Sequence, residues 1–365
     1  MQLMIKKEIN YVEEANILLF IHVNSITFEK MMKESYRKFT YSKELFDKRY
    51  GQILKIYNHV TDNMRIEKNK LEFYFKEIGN SKLSLSNYLL PIYTETRFET
   101  LQEYMTSARE KSNAELVKDF SDVLSQYCSI GNSGNESGVD TFEDLMRIMD
   151  KADLTTEDKW KIAQAFIDHD THLKEVCNIF DKTIRLMEEC RNDINGLEQE
   201  FYDYWADYAA GTDFLKELQE YTNVVWQYGG EGTVIIPSLF RPLSISLSIN
   251  DEEDKKPDKI RLGVILDSSL SYKPSEVDGE KLNTVLKLLS DKSKFEILKL
   301  IKDKPAYGFK IASALNLSTS TISYHMNGLI SADLIKLEKD ANKIYYSMNK
   351  EAISQFLEDI RTLLL

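Results

Sequence analysis

Cysteine is scarce in this 365-residue chain: Cys128, Cys177 and Cys190 are the three it has. Three scattered thiols cannot make a disulfide scaffold, which fits a reducing compartment. Long apolar runs are missing too. No segment is long enough to span a bilayer, and the opening "MQLMIKKEIN" has no apolar signal core, so a cytoplasmic location without a membrane partner is expected. The sequence has no P-loop, no dinucleotide glycine fingerprint, no G-x-S-x-G elbow and no strong metal-ligand spacing. "YGGEGT" (228–233) reads only as a glycine turn before a strand. The expectation is a protein that is not an enzyme, with no catalytic residue, no metal and no cofactor.

Positive charge is also in short supply, with 47 Lys+Arg against 59 Asp+Glu and a net charge of −12. That total argues against phosphate contacts, which need cations. The shortage is uneven, however. Residues 281–365 hold 13 Lys+Arg against 9 Asp+Glu, a net +4, which leaves −16 for the first 280. The acidic bulk belongs to the front and the tail is mildly basic.

What is present points to two domains, since 42% hydrophobic content in this length can fill more than one core. "SSLSYKPSEVDGEK", from Ser268 to Lys281, mixes Ser, Pro and Gly between a strand-like and a helix-like run. It divides the chain into a front domain (1–270), a linker (271–280) and a tail domain (281–365). "GNSGNESGVD" (131–140) cannot support a core and reads as a loop inside the front domain. No internal repeat is visible. The fold class expected is mainly α with a small β component: an α-rich front domain with a strand region near 233–267, then a smaller C-terminal domain whose type follows from its elements.

In the front domain, Phe166, His169, Leu173, Val176, Cys177, Phe180, Ile184 and Met187 fall at helical spacing, which predicts one long amphipathic helix. Leu243, Ile245, Leu247 and Ile249 alternate with serines, and "KIRLGVIL" (259–266) is a second strand, so the two form a hairpin across an acidic turn. "MQLMIKKEI" could add an edge strand. "DHDTH" places Asp168, His169 and His172 within one turn; a metal site is conceivable, but His169 on the apolar stripe favours a satisfied core histidine. Cys177 and Cys190 read as inert buried thiols rather than redox sensors. The aromatics Phe201, Tyr202, Tyr204, Trp205 and Tyr208 could line a pocket for a planar or amphipathic ligand, although such a stripe is more often core.

The tail is more legible. Leu282, Val285, Leu286 and Leu289 make a short helix with one apolar stripe. Ser290 or Asp291 can cap a second helix carrying Phe295, Ile297, Leu298, Leu300 and Ile301, which stops before Pro305. "GFKIASALN" is a third, and Asn316 with Leu317 turns into "LSTSTISYHMNGL". Ser and Thr are poor helix-interior residues because their hydroxyls compete for backbone hydrogen bonds. On a helix from Ser318, Ile322, Met326, Leu329 and Ile330 share one side, which leaves Ser320, Tyr324 and Asn327 opposite, flanked by Thr321 and Ser323. Small donors and acceptors on a projecting helix suit phosphate oxygens and base edges. "LIKLEKDANKIYYSM" follows as a hairpin with lysines at its tip, and a helix-turn-helix followed by a hairpin is a winged helix.

The stretch from Asp291 to Asn349 closely resembles the winged-helix domain of the ArsR family of bacterial transcriptional regulators. The resemblance is carried by D-x-x-K-F-x-I-L, by L-x-L-S-x-S-T-I-S-x-H-M-x-x-L, by A-x-L-I into the wing and by the returning K-I-Y-Y-S-M. It covers about a quarter of the chain. It implies that the helix starting at Ser318 enters the major groove of double-stranded DNA, with Ser318, Thr319, Ser320, Thr321, Ser323, Tyr324 and Asn327 as contacts, while Lys339, Asn342 and Lys343 of the wing reach the backbone. It also implies a homodimer through the first and last helices of the domain: Leu282, Val285, Leu286 and Leu289 with Ile353, Phe356, Leu357 and Ile360. The apolar stripe of the C-terminal helix agrees independently, since it is costly to expose in a monomer.

Two departures matter. Metal-sensing members carry cysteine pairs in the third helix or acidic and histidine ligands in the last, and "AYGFKIASAL" and "KEAISQFLEDIRTLLL" hold neither Cys nor His. The outward face of the fourth helix lacks Arg and Lys, so sequence reading would rest on Tyr324, Asn327 and DNA shape. The long front domain resembles those of extended ArsR-like bacterial regulators. The expected function is a dimeric DNA-binding repressor whose front domain senses a non-metal small molecule; the alternative is control by a protein partner on the acidic front domain.

Overall fold

The computed structural model describes residues 3–31, 39–40, 43–79, 81–90, 92, 98–127, 141–211, 224–225, 232–248, 258–266, 271–272, 279–317, 319–340 and 343–364. The loop expected at 131–140 and most of the linker lie outside these residues. The front part runs β1 (Leu3–Ile5), α1 (Tyr11–Val23), β2 (Phe39–Thr40), α2 (Lys43–Asn63), α3 (Lys68–Phe75), α4 (Ser86–Leu89), α5 (Leu101–Arg109), α6 (Asn113–Tyr127), α7 (Phe142–Lys151), α8 (Thr156–Ile167), α9 (His169–Glu188) and α10 (Arg191–Gly211). Strands β3 (Val224–Val225), β4 (Thr233–Ser238), β5 (Ile245–Ser248), β6 (Asp258–Gly263) and β7 (Ser271–Tyr272) follow. The tail comprises α11 (Gly279–Ser290), α12 (Lys292–Ile301), β8 (Ala306–Tyr307), α13 (Gly308–Leu315), α14 (Thr319–Ser331), β9 (Ile335–Asp340), β10 (Lys343–Met348) and α15 (Lys350–Leu364). The fold is mainly helical with small sheets. No helix among the described residues is long and apolar enough to cross a membrane.

The expected long helix across Phe166–Met187 is two. Asp168 ends α8 and begins α9 with φ −113° and ψ 46°, outside the helical region, so the chain breaks there despite the continuous apolar period. From Leu173 onward the stripe does what its spacing requires: Leu173, Val176, Phe180 and Met187 are buried in the front core. Each such side chain contributes about 1.5–3 kcal/mol. The capping boxes Thr100/Glu103 and Thr141/Asp144 fix the starts of α5 and α7.

The expected hairpin forms as the antiparallel pair β5–β6. Its sheet has the order β1-β4-β6-β5, with β1 and β6 both parallel to β4. The opening segment is therefore an edge strand. A parallel partner needs a long crossover, and here nearly the whole helical region intervenes between β1 and β4. Burial on both faces makes the sheet part of the front core, where Ile235, Ile260 and Leu262 are enclosed. A second apolar cluster gathers Val285, Ile297, Leu298, Ile311, Ile322, Met326, Leu329 and Phe356 in the tail.

Candidate nucleic-acid interface

The tail builds its projecting helix by local means first. The Asp291 side chain accepts from the Lys294 amide at 3.0 Å and caps α12, a bond that holds its carboxyl below the usual range. Asn316 closes α13 in the left-handed region at φ 53°, and the Leu317 amide donates back to the Ala312 carbonyl at 3.0 Å. That reversal sets α14 across α13. Ile322, Met326 and Leu329 then bury one face of α14 in the tail core, which compensates for the weak helix propensity of its Ser and Thr residues.

The opposite face is open. Ser323, Tyr324 and Asn327 are exposed, Tyr324 at 63%, and Thr321 is half-buried beside them. Thr319 and Ser320 lie in the first turn of α14, while Ser318 and Asn342 fall outside the described residues. The wing is the antiparallel pair β9–β10, in which Lys343 pairs with Asp340 and Ile344 with Lys339. Lys339 and Lys343 thus stand at its tip, and β8 adds a third strand against β10 that sequence periodicity missed because it is two residues long.

Sequence reasoning also missed Lys294. It projects from α12 to 5.6 Å from the Tyr324 ring centroid while its ammonium donates to Asp291 at 3.0 Å. His325 flanks the same ring at 5.5 Å. Burial, and then the neighbouring Lys294 charge, push the His325 imidazole below its ordinary pKa. It is therefore mainly neutral at pH 7, and its buried Nδ1 has no hydrogen-bond partner among the described residues. Tyr324 thus stands outward on a charged and aromatic base, an arrangement that a helical wheel of α14 alone could not reveal.

The residues expected at a subunit contact divide into two sets. Val285 and Phe356 are buried in the chain's own core, and Leu282, Leu289, Ile353 and Ile360 pack partly against it. Leu286 and Leu357 remain exposed at 43% and 59%. The stripes of α11 and α15 are wider than one chain needs, because their inner rows are consumed within the monomer.

In the front part, the two histidines of "DHDTH" pack inward while Asp168 is exposed, and His169 is a core histidine whose buried Nε2 has no hydrogen-bond partner among the described residues rather than a satisfied one. The His172 Nδ1 lies 2.9 Å from the Tyr74 hydroxyl and its ring stacks on Phe73, while burial lowers the His169 pKa. Burial pushes the Cys177 thiol up to about 11, which removes thiolate reactivity near pH 7. Tyr204, Trp205 and Tyr208 pack on one another along α10. None of them lines the cavity of about 620 Å³ that opens elsewhere, between β1, β4 and the ends of α1, α5 and α9.

Among the described residues, a strand pairing and a helix contact join the front part to the tail. Strand β3 pairs in parallel with wing strand β9, Val224 opposite Leu337 and Val225 opposite Glu338. Helix α6 touches α14.

Residues 291–336 match the family described as bacterial regulatory protein, arsR family. The arsenical resistance operon repressor of Staphylococcus aureus is 31% identical over 81 residues, 22% of this chain and 78% of that one. The transcriptional repressor SdpR of Bacillus subtilis (strain 168) is 37% identical over 68 residues, 19% of this chain and 76% of that one. Among solved structures, an ArsR-like transcriptional regulator from Rhodococcus sp. RHA1 aligns at 23% identity and a TM-score of 0.22, over 23% of this chain and 79% of that one. With its capped α12, its left-handed turn at Asn316, its outward Tyr324 and its wing, this chain belongs to the arsR family of bacterial regulatory proteins.

Proposed function

We propose that this chain is a homodimeric DNA-binding transcriptional repressor acting in the cytoplasm, whose front domain senses a non-metal small molecule. The observation that carries the reading is the split of α14 into a buried apolar face and an outward face of Ser323, Tyr324 and Asn327. Such a helix offers hydroxyl, phenol and amide groups to base edges, and the lysines at the tip of the wing suit the phosphate backbone. Residues 281–365 serve DNA binding and dimerisation, 271–280 link them to the front, and Leu286 and Leu357 centre the subunit contact. Two symmetric subunits would read a palindrome whose half-sites lie about one helical turn apart.

The cavity in the front part favours a small-molecule effector over control by a protein partner. The β3–β9 pairing and the contact of α6 with α14 offer a direct route from that domain to the DNA-reading surface. A coupling of about 1–3 kcal/mol would suffice for regulation.

The test is genome-wide capture of DNA bound by the protein in its own cell, beside a Tyr324→Ala, Asn327→Ala double variant. A palindromic site lost in the variant supports the reading. Equal enrichment in both, or none in either, refutes the assignment of α14 to bases.

A further inference from the structure

Helix α14 holds neither Lys nor Arg, and a cation reaches it from another element. Lys294 of α12 lays its stem across the helix: a Cβ added to Gly328 would stand 3.4 Å from the Lys294 Cε. Gly328 and Tyr324 are four positions apart, so they share one face and lie a turn from each other. The lysine therefore passes over Gly328 and brings its ammonium to 5.6 Å from the Tyr324 ring centroid. A glycine weakens a helix interior, and here its bare Cα leaves the passage open; a side chain longer than alanine would push the stem aside.

The ammonium is fixed from below. Asp291 caps α12 with one carboxylate oxygen, which accepts from the Lys294 amide, and accepts from the Lys294 ammonium with the other, each at 3.0 Å. Only 10% of the Lys294 side chain is exposed, so this pair is far less screened than one in open water. An ammonium so enclosed and already engaged is poorly placed to grip a phosphate. His325 closes the other flank of the ring at 5.5 Å, with the two planes 63° apart. The phenol is thus the outer end of a ring whose inner end is held between a cation and an imidazole.

A hydrogen bond to a base edge is directional, whereas a tyrosine as exposed as Tyr324 is otherwise free to change rotamer. Holding the ring before DNA arrives removes that ordering cost from binding. We propose that Lys294 is a positioning residue for sequence reading: through a cation–π contact it presents the Tyr324 phenol to a base edge in the major groove, while its own ammonium stays on Asp291 and touches no phosphate. Specificity then depends on a side chain outside the helix that reads. The proposal deepens the DNA-binding reading above and rests on it.

The experiment uses the full-length chain and two duplexes of equal length, one enriched by the native protein from a random-sequence pool and the other its scrambled counterpart. Lys294→Met keeps the stem and removes the charge. It should weaken binding to the enriched duplex about five- to tenfold, the range of a partly desolvated cation–π contact. Affinity for the scrambled duplex and the salt dependence of binding should stay unchanged. Lys294→Arg, which can keep both the ring contact and the bond to Asp291, should bind almost as the native protein does. In a Tyr324→Ala background, Lys294→Met should have no further effect. Circular dichroism checks folding, and Lys294→Gln is the second neutral variant should methionine disturb it. In protein labelled with 3-fluorotyrosine, the Tyr324 resonance, assigned with Tyr324→Phe, should move on Lys294→Met in the absence of DNA. Equal weakening on both duplexes with a shallower salt dependence would make Lys294 a phosphate ligand and overturn the proposal. So would additive losses in the Tyr324→Ala background, or native affinity in Lys294→Met for a duplex the pool has clearly enriched. A pool that yields no preferred sequence refutes the base-reading role of α14, and the proposal with it.

Discussion

Glu14 gives a prediction whose magnitude follows from the structure. It is buried on α1 beside Glu13, and its Oε2 accepts from the Phe240 amide at 2.8 Å. Burial pushes its carboxyl from 4.5 up to about 7, with the Glu13 charge adding to the rise, against the opposing pull of the Phe240 amide, the Ser238 hydroxyl and the Arg241 charge. A folded-state pKa above the unfolded one means that the native state binds the proton more tightly. The associated stability is fully present below about pH 4.5 and is lost as pH rises through about 7. At about 1.4 kcal/mol per pH unit, the loss amounts to about 3 kcal/mol. Glu14→Gln is neutral at every pH, nearly isosteric, and still able to accept from the Phe240 amide. It should match the native protein at pH 4.5 and exceed it by about 3 kcal/mol at pH 8. Urea unfolding followed by far-UV circular dichroism at pH 4.5, 6 and 8 measures the difference, and the other titrating groups, present in both proteins, cancel. A difference independent of pH, or a variant less stable at pH 8, would refute the placement of a protonated carboxyl in this core.

The Leu286→Lys, Leu357→Lys double variant should elute as a monomer in gel filtration with an unchanged circular dichroism spectrum, because both side chains are exposed in the single chain; an unchanged elution volume would remove them from the subunit contact. Asn316→Val should cost about 1–2 kcal/mol, since a β-branched residue resists the left-handed φ of 53°, whereas Asn316→Gly should be nearly neutral; thermal melting compares them. Gly263→Ala should destabilise by more than about 3 kcal/mol and depress soluble expression, because a Cβ there would meet the Pro242 carbonyl carbon and oxygen at 2.1 Å. An alanine variant as stable as the parent would mean that the β6 end sits farther from Pro242.

The tail was legible because its determinants are local. The Asp291 cap, the stop before Pro305, the turn at Asn316 and the apolar rows of α14 each involve residues a few positions apart, and the structure has each of them. The same locality misled at Asp168, where a continuous apolar period crosses a broken backbone. It also made the α11 and α15 stripes look like one surface, although Val285 and Phe356 belong to the inner core. Within the candidate site, the outward set on α14 could be read from spacing, whereas Lys294 beneath Tyr324 could not, since it sits three elements earlier.

The sequence by itself determined the winged-helix tail, its family, and the alternation that makes β5 and β6 a hairpin, because periodicity and capping are written in short windows. Tertiary structure alone decided that β1 lies parallel to β4, that β3 borders the wing, and that Glu13 meets Lys259 across 246 positions. Such pairings depend on which buried surfaces and charges satisfy one another after the chain has collapsed. No local pattern encodes that choice, and for this reason the cavity and the Glu13–Lys259 pair became visible only in the folded molecule.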